Sequence, residues 1–326
     1  MLGCGCPRRC SCRCRKAAIT NRTILRAALV LACAAVSSGL LAACGTADDK
    51  SSDPGAASTL AQTFDATSSL HNARLTASFL LEPEGMVALG GPISFRGSGP
   101  VAAGAKGELP RFDLAVTGSL ARHALRARAI STGKRGFLEI GGRSYKLDKD
   151  VLGLLRSVLG AGAARGGAIA TLGLNPQAWV KDPQTAGHET IGGVDTNRTS
   201  GTIDVGALLA DVSRLLAGGG LDGLLTPQLR KQIEGAVTAT KVDVWSGAQD
   251  KILRQLAVVV DFAFKKGTSP LAGLDGGKLT LRVLLDRVNA TTVDPVAPKH
   301  ARPLSELLSH DGLGALLPGL GIAAKP

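Results

Sequence analysis

The hydrophobic pattern changes period several times along the chain, and each change predicts a different element. Between residues 56 and 70, "AASTLAQTFDATSSL" sets Leu60 and Phe64 on one side at helical spacing. From residue 73 the period falls to two. Ala73, Leu75, Ala77, Phe79 and Leu81 alternate with Arg74, Thr76, Ser78 and Glu82, which predicts a half-buried strand. Further strands are expected in "RFDLAVTGSL", where Leu114 shares a side with Phe112 and Val116, and in "ARHALRARAIS", where Arg122, Arg126 and Arg128 share one face. "GFLEIGGRSYKL" predicts a hairpin around Gly141 and Gly142. The stretch from Pro83 to Pro110, "PEGMVALGGPISFRGSGPVAAGAKGELP", is expected to be a long loop.

A helical block follows, with Val151, Leu154, Leu155, Val158 and Leu159 along one face, and then a Gly-rich connection. Two strands are expected on either side of Gly192 and Gly193. After Asp204 comes a strong helical stripe of Val205, Leu208, Leu209, Val212, Leu215 and Leu216. Thr226 and Pro227 predict the N-cap and first position of another short helix. The last third returns to strands in "AVTATKVDVWSG", "KILRQLAVVVDFAF" and "GKLTLRVLLDRVNA". Val258 and Val260 lie in the second; Leu281 and Val283 alternate with polar residues in the third.

This order predicts an α+β fold: a strongly curved antiparallel sheet, an incomplete barrel, capped by amphipathic helices. A long sheet must twist and curl, and striped helices have only its concave side on which to bury themselves. The apolar positions that would face inward are Leu75, Phe79, Leu114, Val151, Leu155, Val158, Leu208, Val212, Leu216, Val258, Val260, Leu281 and Val283. They would line a cavity, or they would fill one another and make a solid core; patterning leaves both open. The globular domain is expected over 59–292, followed by a tail over 293–326 broken by Pro and Gly. That tail carries Leu304, Leu307, Leu308, Leu313, Leu316 and Leu317, fit for a short helix or for lying on an apolar patch.

The N-terminus has its own logic. The net charge of +12 invites a nucleic-acid partner, but residues 1–43 hold seven basic residues and no acid. What remains is weakly basic, without a basic block interleaved with aromatics, so no nucleic-acid partner is expected. All seven cysteines also fall at or before residue 44. Their CxC spacing differs from the paired CxxC knuckles of zinc sites. A basic stretch, an apolar run over 27–43 too short to span a bilayer, and Leu41, Ala42, Ala43 and Cys44 together fit a bacterial lipoprotein signal peptide. Cys44 is then the acylated first residue of the mature chain, and 44–58 is a flexible tether. The protein is expected to be exported and held by its lipid anchor at the outer face of the cell membrane, as a monomer.

Catalytic chemistry is not apparent. The five histidines have no metal-ligand spacing, and neither a GxSxG elbow nor a Walker loop occurs. "GGGLDG" matches a dinucleotide fingerprint but follows a helix where the chemistry needs a strand. No enzyme, metal or cofactor is expected. The arginine row on "ARHALRARAIS" reads as a solvated sheet face, or more sharply as a surface attracted to anionic head groups.

With these features in place, "AWVKDPQTAGHETIGGVDTNRTSGTIDVGALLADV" and "TKVDVWSGAQDKILRQLAV" resemble the mycobacterial LppX/LprAFG lipoprotein family. Trp179, Gly187, Ile191, Gly192, Gly193, Thr196, Arg198, Gly201, Val244, Trp245 and Leu253 carry the likeness. The resemblance implies a LolA-like fold whose apolar cavity holds lipid or glycolipid acyl chains and carries or presents them in the cell envelope, with envelope transport machinery as a partner. The alternative is a surface-anchored structural or interaction lipoprotein with a filled core.

Overall fold

The period-two segments become strands and the striped segments become helices in the computed structural model, which describes residues 53–85, 91–105, 108–120, 123–155, 176–218, 225–269 and 273–308. Helix α1 (Pro54–Ala66) leads into β1 (Asn72–Glu84), β2 (Ile93–Ala102), β3 (Arg111–Leu120), β4 (His123–Thr132), β5 (Gly136–Ile140) and β6 (Arg143–Lys146). Helices α2 (Lys149–Leu155) and α3 (Pro176–Trp179) precede β7 (Val180–Ile191) and β8 (Val194–Ile203). Then come α4 (Val205–Gly218), α5 (Pro227–Ala236), β9 (Val237–Gly247), β10 (Leu253–Ala263) and β11 (Gly276–Asp286), ending in β12 (Arg302–Pro303) and α6 (Leu304–Leu308).

Among the described residues, twelve strands join one sheet in the order β12-β6-β5-β4-β3-β2-β1-β11-β10-β9-β8-β7. Every pairing is antiparallel except the two-residue contact of β12 with β6, and the sheet does not close, because β12 and β7 stand at opposite edges. Residues directly opposed in an antiparallel pair share a face. Leu75, Ala77 and Phe79 oppose Leu285, Val283 and Leu281, which places them together on one face, the inner one. Leu256 and Val258 extend that face by opposing Val283 and Leu281, and they in turn oppose Val244 and Val242.

The stretch expected to be a loop over 83–110 is corrected here: it contains β2, the strand that joins β1 to β3. Gly97, Gly99 and Pro100 interrupt its alternation, and such residues carry little strand preference of their own. Pairing on both sides supplies what propensity withholds. The glycines also fit the site, since a side chain at Gly99 would overlap the Asp113 carbonyl oxygen on β3.

Two helix starts follow from local chemistry. The Asp204 carboxylate accepts from the Ala207 N–H at 2.9 Å, opening α4, and Thr226 Oγ1 accepts from the Leu229 N–H at 3.2 Å, opening α5 with Pro227 in its first turn. Burial pushes the Asp204 carboxyl up, but the Ala207 N–H and Lys181, whose ammonium is 2.9 Å away, outweigh it and hold its pKa below the usual carboxylate value.

The main core sits between the inner face and helices α1, α3 and α4. Leu60, Trp179, Leu208 and Leu209 meet Leu75, Leu114, Val242, Leu256, Val258 and Leu281 there. A second cluster occupies the far edge, where Leu138, Ile140 and Tyr145 receive Leu304 and Leu307 from α6. The chain beyond residue 292 therefore packs on the sheet at least as far as α6; from residue 309 it lies outside the described residues.

Candidate functional site

The inner face divides into packed and half-buried parts. Leu75, Leu114, Leu208, Val258, Val260, Leu281 and Val283 all belong to the main core and are nearly inaccessible. Phe79 differs: it is half-buried and belongs to neither cluster. Its ring lies 6.5 Å from that of Phe95, its partner on β2. Leu81 and Ile93 form the next pair along, also half-buried and outside both clusters, and Val116 on β3 continues the strip. Gly118 keeps this strip open beside Phe95, because a Cβ there would sit 2.6 Å from the Phe95 ring and 2.5 Å from the Ser94 oxygen.

Val151 does not join the inward-facing set. It packs against the second cluster, because α2 lies over β5 and β6 and away from the centre of the sheet. The side chains of Leu155, Val212 and Leu216 lie outside the described residues, as do Val158, the segment Leu41, Ala42, Ala43 and Cys44, the Gly-rich connection and all of "GGGLDG" after Gly218.

At the end of the sheet that carries the Phe79 strip, α5 and the turn after β10 border an open cleft of about 540 Å³. Pro227, Gln228, Lys231, Gln232, Gly235 and Ala236 line it from the helix, and Phe264, Lys265 and Thr268 from the turn. Its floor is continuous with the core. Phe264 meets Phe262 edge-on at 5.8 Å, and Phe262 and the α5 residue Ile233 both pack against the main cluster. The rim is cationic and rich in amide donors. Such a lining accommodates an amphiphile whose head is anionic and whose body is apolar. Sequence patterning had no means of finding it, since Lys231 and Lys265 are separated by two strands' worth of chain and read singly as solvated lysines.

Two polar anchors hold the helices against the sheet. The buried Trp179 indole N–H donates to Asp211 Oδ2 at 2.9 Å, tying α3 to α4, and Asp211 also pairs with Arg214. Thr63 on α1 and Ser246 on β9 share a buried hydroxyl hydrogen bond of 2.5 Å. On the outer face Arg198 bonds Asp243 and Glu189 and lies over the Trp245 ring at 5.1 Å. Burial pushes the Asp243 carboxyl up, yet hydrogen bonds from Ser200, Arg198 and Lys241 more than offset this and hold its pKa below the usual value.

Among the described residues no group of three His, Cys, Asp or Glu could hold a metal ion, and no helix is long and apolar enough to cross a membrane.

No protein-family model and no curated protein matches the chain. Among solved structures it is similar to LprF from Mycobacterium bovis, at 16% identity and a TM-score of 0.42, over 76% of this chain and 98% of that one. It is also similar to the lipoprotein LppX from Mycobacterium tuberculosis, at 16% identity and a TM-score of 0.39, over 74% of this chain and all of that one. Pseudomonas aeruginosa MucB in complex with MucA follows at 12% identity and a TM-score of 0.23. LprF and LppX are of the group that the sequence resembles; at such values the likeness concerns the course of the chain alone.

Proposed function

We propose that the mature chain is an exported lipoprotein, anchored through acylated Cys44, that binds an amphiphile and carries or presents it in the cell envelope. The observation that carries this reading is the cleft of about 540 Å³ with an apolar floor at Phe264 and Ala236 and a rim of Lys231 and Lys265. It opens at the same end of the sheet as the half-buried strip of Phe79, Leu81, Ile93 and Phe95. An acyl chain gains about 0.8 kcal/mol for each methylene it buries, so a strip of this kind favours it strongly over water. The lysines neutralise an acidic head at the rim. The ligand class is therefore a lipid or glycolipid bearing an anionic head, and no catalytic residue is assigned.

The anchor is supported by the apolar run that ends at Leu41, Ala42, Ala43 and Cys44, and by the small polar tether behind it. Cys44→Ser is expected to move the protein from the membrane to the soluble fraction; continued membrane association would count against acylation there. Native mass spectrometry of gently extracted protein is expected to show a retained lipid, and purified protein to take up a fluorescent fatty acid. A chain free of lipid that also fails to take up the probe defeats the carrier reading. It would favour instead a filled-core interaction lipoprotein, a reading supported by the close packing of Leu75, Leu114, Leu208 and Val258.

A further inference from the structure

Strand register on the outer face assembles a row that no single segment of sequence displays. Arg126 on β4 opposes Thr117 on β3, and Thr117 opposes Arg96 on β2. Arg96 opposes Ser78 on β1, and Ser78 opposes Arg282 on β11. Three arginines thus alternate with two hydroxyl residues along one line. At a strand spacing of 4.7–4.9 Å, successive arginines stand about 10 Å apart.

All three arginines are exposed, and none has an ion-pair partner among the described residues. The flanking positions on the same face are Thr76, Ser98, Ala115, Arg128 and Leu284 on one side and Leu80, Ser94, Ser119, Ala124 and Thr280 on the other. No acid is among them. Elsewhere on this face several charges are matched: Arg128 holds Asp113 and Glu139, Arg198 and Lys241 hold Asp243, and Lys278 holds Asp261. Arg74 and Arg111 on this face are also without an ion pair among the described residues, but Arg74 stands opposite Asp286, and the row is where three such arginines line up with no acid beside them.

We propose that this row is a docking surface for a bilayer rich in anionic lipid, with the three guanidinium groups on head-group phosphates and the Ser78 and Thr117 hydroxyls between them. A guanidinium presents a planar fork of donors that matches phosphate, and its long stem reaches outward from a curved surface. The path of the chain agrees with this orientation. The row continues through Ala257 and Asp243 to Ser200 on β8, next to the edge strand β7. There Asp53 is fixed by its N–H to the Pro183 carbonyl at 3.1 Å and by the Thr185 hydroxyl to its carboxylate at 2.7 Å. The segment 45–53 spans at most about 30 Å when extended, which keeps a lipid on Cys44 within reach of that edge. The orientation rests on the anchor proposed above; the charge pattern does not.

The test is arginine labelling by phenylglyoxal of the mature chain on vesicles, resolved by peptide mass spectrometry. On vesicles containing anionic phosphatidylglycerol, Arg96, Arg126 and Arg282 are expected to label about fivefold more slowly than on pure phosphatidylcholine, the factor that about 1 kcal/mol per contact gives. The exposed Arg135, in the turn between β4 and β5, and Arg143, at the start of β6, are expected to label equally on both. Protection is expected to vanish in high salt, which shortens the screening length to about 3 Å at 1 M. Equal labelling of the three on both kinds of vesicle overturns the proposal, as does equal protection by inorganic phosphate alone. In the Arg96→Gln, Arg126→Gln, Arg282→Gln variant, fatty-acid uptake is expected to match the parent, and soluble chain mixed with anionic vesicles is expected to bind at least about 100-fold more weakly. Unchanged vesicle binding by that variant likewise refutes the docking row, whatever the uptake assay shows.

Discussion

Replacing Trp179 with Phe tests whether one buried hydrogen bond fixes α4 against the rest of the fold. Trp179 is 2% exposed and Asp211 3% exposed, so neither group recovers water when the other is removed. The 2.9 Å bond from the indole N–H goes to a carboxylate, and such bonds contribute roughly 1.5–3 kcal/mol. The smaller ring leaves a space behind it that costs about another 1 kcal/mol at the usual penalty per unit of cavity volume. The sum is about 3 kcal/mol, which for a domain of this size lowers Tm by roughly 6–12 °C. Urea titration followed by circular dichroism reads the loss directly, as a lower midpoint with an unchanged slope. Adding Asp211→Leu provides the stricter test. With both polar partners gone, the double variant is expected to lose at least about 1 kcal/mol less than the two single losses combined. Strict additivity, or a loss for Trp179→Phe below about 1 kcal/mol, refutes the account.

Other consequences concern the site and the outer face. Asp243→Asn is expected to destabilise the chain at neutral pH. Because the folded pKa of Asp243 lies below its unfolded value, its stabilisation is complete above the unfolded value of about 4 and is lost as pH falls through the folded one, so the gap between parent and variant in urea titrations should close below about pH 4 and stay constant above about pH 5. Gly118→Ala is expected to cost about 1–3 kcal/mol by forcing Phe95 aside, and to weaken fatty-acid uptake further than a stability-matched variant elsewhere. Lys231→Glu with Lys265→Glu is expected to lower affinity for a fatty-acid anion at least about tenfold while leaving a neutral long-chain alcohol unaffected; equal loss for both ligands would remove the lysines from head-group recognition.

Elements whose signal is local were legible in the sequence. The Thr226 and Pro227 start of α5, the Asp204 start of α4 and the Gly192 and Gly193 turn each depend on chemistry within a few residues, and each stands where patterning places it. β2 was not legible, because its strand character comes from neighbours on both sides and is contradicted by Gly97, Gly99 and Pro100. The candidate site shows the same division. Periodicity selects residues that point inward but cannot separate those that end as wall, such as Leu114 and Val258, from one that stays half-buried, such as Phe79. That separation depends on which helix lands on which strand.

The arginines make the point most sharply. Along one strand Arg126 and Arg128 look equivalent, two positions apart on the same face. Pairing makes them different. Arg128 is drawn to Asp113 and Glu139 on the neighbouring strands, and its bond to Asp113 at 2.5 Å raises its pKa further above an already high value. Arg126 meets only Thr117 across the sheet and shares its row instead with Arg96 and Arg282, distant in sequence and on strands that are not its neighbours. A surface for anions is therefore a property of register: a slip of one residue in the pairing of β1 with β2 would turn Arg96 to the inner face and bring Phe95 out. The same pairing that puts Phe79 beside Phe95 on the inner face puts Ser78 between Arg96 and Arg282 on the outer one. Ligand strip and docking row are two readings of one set of hydrogen bonds, so a substitution that shifts β2 should damage both, whereas one confined to a side chain on either face should leave the other intact.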